Sequence, residues 1–217
     1  MAVFESVQQC VASVEADFAQ ETTKLQVTSI CNFANKETQT CLRVPFQHNK
    51  AVPRYLFRGE PGDSCAYPET KSSILRLASD PDLQTEIITL TSRIADWLSN
   101  PASNFHLTND DAVGLIQHLG LPTHYLDFSS DATVAAAFAV GDKDPGQLVN
   151  MAVLDVCRAV NFGRLANLCD NPWSERARRQ SAYGFWSSID DLKSNEAIEK
   201  LSIRWMQCIV TEEDKAP

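Results

Sequence analysis

No stretch of 18 apolar residues occurs anywhere in this chain, so nothing in it reads as a membrane-spanning helix. The first residues, MAVFESVQQCVASVEADF, lack a basic start and are broken by Glu5, Gln8, Gln9 and Glu15, which is not the pattern of a secretory signal. Positive charge is scarce: 19 Lys and Arg face 28 Asp and Glu, a formal charge of -9. Such a surface repels phosphate backbones and anionic lipid, which argues against a general nucleic-acid or membrane-surface binder and still leaves room for one basic pocket. The seven cysteines, at 10, 31, 41, 65, 157, 169 and 208, form no CxxC pair and no Cys/His cluster. A zinc site and a disulfide framework are therefore not expected, and the thiols read as reduced in a cytoplasm-like compartment. The sequence also has no internal repeat, no phosphate-binding loop, and no GxGxxG, GxSxG or HExxH.

What is present is ordinary globular material: 217 residues, 44% hydrophobic and 22% charged, enough for one domain or one domain with a helical arm. Phe4, Val7, Val11, Val14 and Phe18 recur at helical spacing and predict a first helix. Segments 24–30 and 41–47 read as short strands, and 54–59, RYLFRG, as a strand ending at Gly59. Asp80 followed by Pro81 predicts a capped helix start, with Leu83, Ile87, Leu90, Ile94, Trp97 and Leu98 as its buried stripe. A second helix, NDDAVGLIQHLG, is stopped by Gly120 and Pro122. HYLDF then predicts a short strand, followed by a small-residue helix capped by Ser129 or Ser130 with Phe138 in the core. QLVNMAVLDV and IRWMQCIV read as strands, SNEAIEKL as a helix, and RARRQSAYGFW fits either helix or loop. Helices and strands do not alternate strictly, so an α+β domain is expected, with a mixed or mostly antiparallel split sheet flanked by helices. Residues 1–49 are expected to be an N-terminal helix and short strands packed on the core, and 50–217 the main α+β domain.

Candidate chemistry sits at the ends of apolar elements. Arg58 follows Tyr55, Leu56 and Phe57 and precedes Gly59, a place from which a guanidinium could grip a phosphate or carboxylate. An ion pair with Glu60 or Asp127 is the structural alternative. His118 lies in the last turn of its helix, where the dipole favours a cation. Thr123, Ser129 and Ser130 offer hydroxyls suited to an anionic or ribose-bearing ligand, or serve only as caps. Asp127, between Leu126 and Phe128, is expected to be partly buried and to need a partner. Arg176, Arg178 and Arg179 form a local basic patch that faces either an anion or solvent, with Gln180, Tyr183 and Phe185 beside it.

Taken together, FRG at 57–59, the SSILR segment ending at Arg76, QHxGLPTxxLDxS at 117–129 with its alanine-rich helix, and Arg176, Gln180, Gly184 and Phe185 resemble the FRG domain family. The resemblance covers about residues 50–186. Where the family usually has Thr-Arg-Leu-Leu-Asp-Trp, this chain has Thr123, His124, Tyr125, Leu126, Asp127 and Phe128. A second, weaker similarity is to the arginine–serine–glutamate class of ADP-ribosyltransferases, through an arginine on an early strand and a serine-bearing strand that runs into a helix. That likeness implies an ADP-ribosyltransferase-like fold and NAD as the bound substrate. In it Arg58 holds the diphosphate and Ser129 (or Ser130) braces the ribose. Gln180 or Asp127 takes the place of a late glutamate beneath the developing ribosyl cation. Gly59, Arg76, His118, Thr123 and Arg179 complete the expected cofactor-binding set, and no metal is expected. A protein or nucleic-acid acceptor, a toxin or effector role, and a site of action in the cytoplasm of its own or a target cell follow from the same likeness.

Three readings therefore stand: an NAD-dependent ADP-ribosyltransferase or glycohydrolase, a non-catalytic nucleotide- or anion-binding sensor, and an interaction domain in which the polar groups are structural.

Overall fold

The computed structural model describes residues 2–18, 53–61, 80–105, 107–159, 161–169, 171, 173–187 and 194–215. The expected strands at 24–30 and 41–47, and Arg76, lie outside these residues. The chain opens with a short strand, β1 (Ala2–Phe4), and helix α1 (Val7–Phe18). Phe4 thus belongs to a strand and not to the first helix, whose stripe is Val7, Cys10 and Val14. β2 (Tyr55–Glu60) runs one residue past Gly59.

Helix α2 (Pro81–Leu98) begins as predicted, with Asp80 accepting from the Asp82 N–H. Helix α3 (Asn109–His118) carries a capping box in which Thr108 and Asp111 satisfy each other's backbone N–H groups. β3 (Leu126–Ser129) leads into α4 (Ala132–Val140), whose cap is Asp131, with the N–H groups of Thr133 and Val134 on its carboxylate. The expected caps Ser129 and Ser130 are not used because the strand runs on through Ser129. β4 (Leu148–Asp155), α5 (Val156–Ala159), β5 (Gly163–Asn167), α6 (Glu175–Arg179), β6 (Ala182–Ser187), α7 (Asn195–Leu201) and β7 (Arg204–Ile209) complete the elements of the described residues, with a 3-10 turn at Glu213–Lys215.

The seven strands form one mixed sheet in the order β1-β7-β4-β2-β3-β6-β5. Every pairing is antiparallel except β1 on β7, where Ala2, Val3 and Phe4 lie opposite Met206, Gln207 and Cys208. The fold is α+β with helices on both faces of the sheet. Because successive strand residues point to opposite faces, the register sorts the core. Phe57, Met151, Val153 and Cys208 face α1 and α4, and Ala166 and Ala182 on the same side pack with α2, α3 and α6. Leu56, Ala152, Leu154, Phe128, Tyr183 and Phe185 face the opposite way, towards α5 and α7. We call these the first and second faces. The start of α1 is fastened to the far end of the chain: the N–H groups of Val7 and Gln8 both donate to the Asp214 carboxylate, at 3.3 and 3.0 Å.

Two burial expectations fail, the first only in part, since Leu98 is buried and Ile94 packs against the core as expected. The stripe of α2 that enters the core is Thr91, Ala95 and Leu98, leaving Leu83, Leu90 and Trp97 exposed. On α4 the alanines Ala132, Ala135, Ala136 and Ala139 make the contact, and Phe138 is turned outwards. In both helices small residues win the core because the backbone lies close to its neighbours. Cys10, Cys157, Cys169 and Cys208 are free thiols. Among the described residues no helix is long and apolar enough to cross a membrane. Among the same residues no group of three or more His, Cys, Asp and Glu is placed to hold a metal ion.

Candidate ligand site at the central strands

β2 and β3 meet through a single pair, Phe57 opposite Ser129. Cross-strand partners share a face, so Phe57 and Ser129 point to the first face and Arg58 to the second. Arg58 is buried, its Nε donating to Glu60 Oε1 at 2.7 Å and its Nη1 to the Asp127 carbonyl at 2.7 Å. The second bond has a clear cause. The ladder between β2 and β3 is too short to serve Asp127, so the guanidinium spans the gap and satisfies that carbonyl. Arg58 therefore acts as a strut between strands, and its charge is already matched by Glu60 two residues along the same face.

Gly59, expected near a ligand, has a packing role. A Cβ there would lie 1.8 Å from the Ala135 carbonyl oxygen, so only glycine lets α4 rest on β2. Ser129 is buried as well. Its hydroxyl donates to the Gln180 carbonyl at 2.8 Å and accepts the Asp131 N–H at 3.0 Å, pinning the turn after α6 to the start of α4. Gln180 enters this contact through its backbone. Arg179, exposed, pairs with Glu175 at 2.6 Å one turn earlier on α6.

A different group gathers on the first face, at the corner between α3 and β3. Gly120, with φ +91°, ends α3 in a left-handed turn that few side chains tolerate. The Thr91 hydroxyl donates to the Pro122 carbonyl at 3.1 Å and holds the turn down. The chain then doubles back. The buried Thr123 hydroxyl donates to Gln117 Oε1, and Gln117 Nε2 donates to Asp127 Oδ1. Tyr125 packs its ring under Gly184 and donates its hydroxyl to Asp110 at 2.5 Å, fixing the start of β3 to α3. Asp127 is exposed, contrary to expectation, because alternation buries Leu126 and Phe128 on the second face and turns Asp127 the other way.

His118 adjoins this group, and its Nε2 is buried without a hydrogen-bond partner. Burial holds its imidazole below the ordinary value of 6.5; the Asp127 carboxylate opposes that shift and Arg176 adds to it. Arg176 is thus the arginine whose charge His118 feels, while Arg179 is engaged by Glu175. The signal was present in the sequence, since Glu175 stands four residues before Arg179 and can occupy it.

The corner assembles an oriented, solvent-facing carboxylate, a half-buried imidazole and an arginine, on elements tied together by these side-chain hydrogen bonds. Of the expected site residues it unites His118, Thr123 and Asp127. Arg58 and Gly59 belong to β2, and Ser129 and Gln180 to the turn beside α4. Residues 53–147 match the FRG domain. The FRG segment, somewhat under half of the chain, runs from β2 through α4 and so contains Arg58, Gly59, Glu60, Gln117, His118, Thr123, Asp127 and Ser129. It ends before Arg176 and Gln180. No curated protein and no solved structure matches the chain.

Proposed function

We propose that the corner between α3 and β3 binds a nucleotide or a related anionic sugar ligand, and that the chain works as a recognition module for it. The carrying observation is Asp127: an exposed carboxylate with one oxygen fixed by Gln117. A carboxylate held this way accepts hydrogen bonds from a vicinal diol, while Arg176 supplies the charge for a phosphate. His118, whose charged form is disfavoured by partial burial, has an Nε2 without a partner. Calorimetry with NAD, ADP-ribose, ADP and pyrophosphate tests this reading. Binding of the nucleotides that weakens at least tenfold in Asp127→Asn supports it, and no heat from any of the four overturns it.

NAD turnover, as an ADP-ribosyltransferase or glycohydrolase acting as a toxin or effector in a cytoplasm, is the second reading. Asp127 favours it, as an accessible carboxylate able to stabilise a ribosyl cation. Against it, Arg58 and Ser129 leave the sheet on opposite faces and both are engaged internally. Release of nicotinamide from NAD, lost in Asp127→Asn, is the outcome that would favour turnover over recognition alone.

A further inference from the structure

The second face of the sheet changes character along its length. Its first row across β2 and β4 is apolar, Leu56 opposite Leu154. Its next holds Arg58, Ala152 and Trp205, and its last holds Glu60, Asn150 and Gln207 side by side on β2, β4 and β7. All three residues of the last row are buried, at 3%, 1% and 8% exposure. Two polar atoms of this row are left over by the fold's own hydrogen bonds. Glu60 Oε2 and Asn150 Nδ2 are both shut off from solvent with no hydrogen-bond partner, and each such orphan costs about 1–3 kcal/mol. Neither atom belongs to the corner at Asp127, which lies on the other face.

We infer that this row is a second binding site, for the amide edge of a planar ligand: a primary carboxamide or the lactam edge of a nucleobase. The chemistry follows from the two orphan atoms. As the ion-pair partner of Arg58, Glu60 accepts only, and Asn150 Nδ2 only donates. Their Cα atoms are direct cross-strand partners, about 5 Å apart. A rigid planar group that satisfies both presents an N–H beside a carbonyl oxygen, with the N–H on Glu60 Oε2 and the carbonyl on Asn150 Nδ2. Arg58, holding Oε1 at 2.7 Å, fixes the direction of Oε2. Gln207, opposite Asn150 on its other side, closes the row. A free carboxylic acid does not fit, because it would meet the Glu60 charge. Entry requires local opening of this face, so association is slow.

Nicotinamide and hypoxanthine serve as probes, with nicotinic acid as the control, and the first two separate a carboxamide source from a lactam source. Saturable binding of either probe, no binding of nicotinic acid, and at least tenfold weakening in Asn150→Asp and Glu60→Gln are expected. If those variants do not fold, the wild type still decides. The side-chain NH2 resonances of 15N-labelled Asn150 shift when either probe saturates the protein. No binding of both probes, or binding that leaves those resonances in place, overturns the inference.

Discussion

On one face of β2 and β3 a guanidinium and a carboxylate are locked together out of water. On the other, Asp127, whose own backbone carbonyl receives that guanidinium, stands in solvent with a glutamine amide against it. The same short stretch of sheet thus uses charge in two ways. Buried charge that is matched holds strands together and is costly to disturb from one side. Exposed charge that is merely oriented contributes little to the fold and remains free to meet a ligand. A functional arginine is therefore poorly located by its position at the end of an apolar strand. The carboxylate that is held but not neutralised is the more informative group.

Arg58→Ala is the severest way to break this contrast. It leaves Glu60 buried without its cation and the Asp127 carbonyl without its donor, and a loss of about 3–5 kcal/mol is expected by urea denaturation. Replacing both partners, Arg58→Met with Glu60→Leu, recovers most of that loss if the pair is a strut. Asp127→Asn keeps an acceptor for Gln117, so its stability should change by less than about 1 kcal/mol while nucleotide binding falls at least tenfold.

The pH response of His118 gives a smaller signal of fixed sign. The unfolded imidazole takes up its proton near pH 6.5, the folded one only at lower pH because burial disfavours the charge. As pH falls through that window the unfolded state binds more protons, so stability drops, and above pH 6.5 the group contributes no slope. His118→Gln should flatten the wild-type curve below pH 6.5, as read by midpoints across a pH series. A steeper acid loss in the variant would contradict the assignment. The smallest effect belongs to Arg179→Ala. Its pair with Glu175 is an exposed helical one, worth within about 0.5 kcal/mol, and ligand binding should survive its removal while Arg176→Ala weakens it.

Much of the fold could be read from local pattern. Asp80 with Pro81, the α3 segment with its Gly120 stop, and the apolar runs of β4 and β7 each announce an element through nearby residues. β1 could not be read this way, because three residues acquire strand identity only by pairing with β7 some 200 positions on. β5 was equally hidden in GRLAN, a segment without clean alternation. Helix faces escape a reading that gives the largest residues to the core. Trp97 and Phe138 lie outside since Ala95 and the α4 alanines allow closer approach.

The candidate site was half legible. The run from Gln117 to Ser129 stood out as dense in polar groups, and the pairing of Arg58 with Glu60 was one of the alternatives the residues allowed. What sequence could not supply was the face each side chain takes, which depends on the one register contact between Phe57 and Ser129. Asn150, and its place opposite Glu60, could not be read, because an isolated polar residue in a strand carries no mark of what lies across from it.

The clasp between the start of α1 and Asp214 also bears on how the sheet guards its border. Among the described strands β1 is the outermost there, three residues long, and it covers the hydrogen-bonding side of β7. Removing residues 1–6 would bare a row of unpaired amide and carbonyl groups on β7, an open invitation for another copy to add a strand. That short leading segment is thus a guard against self-association as much as a contributor to the core.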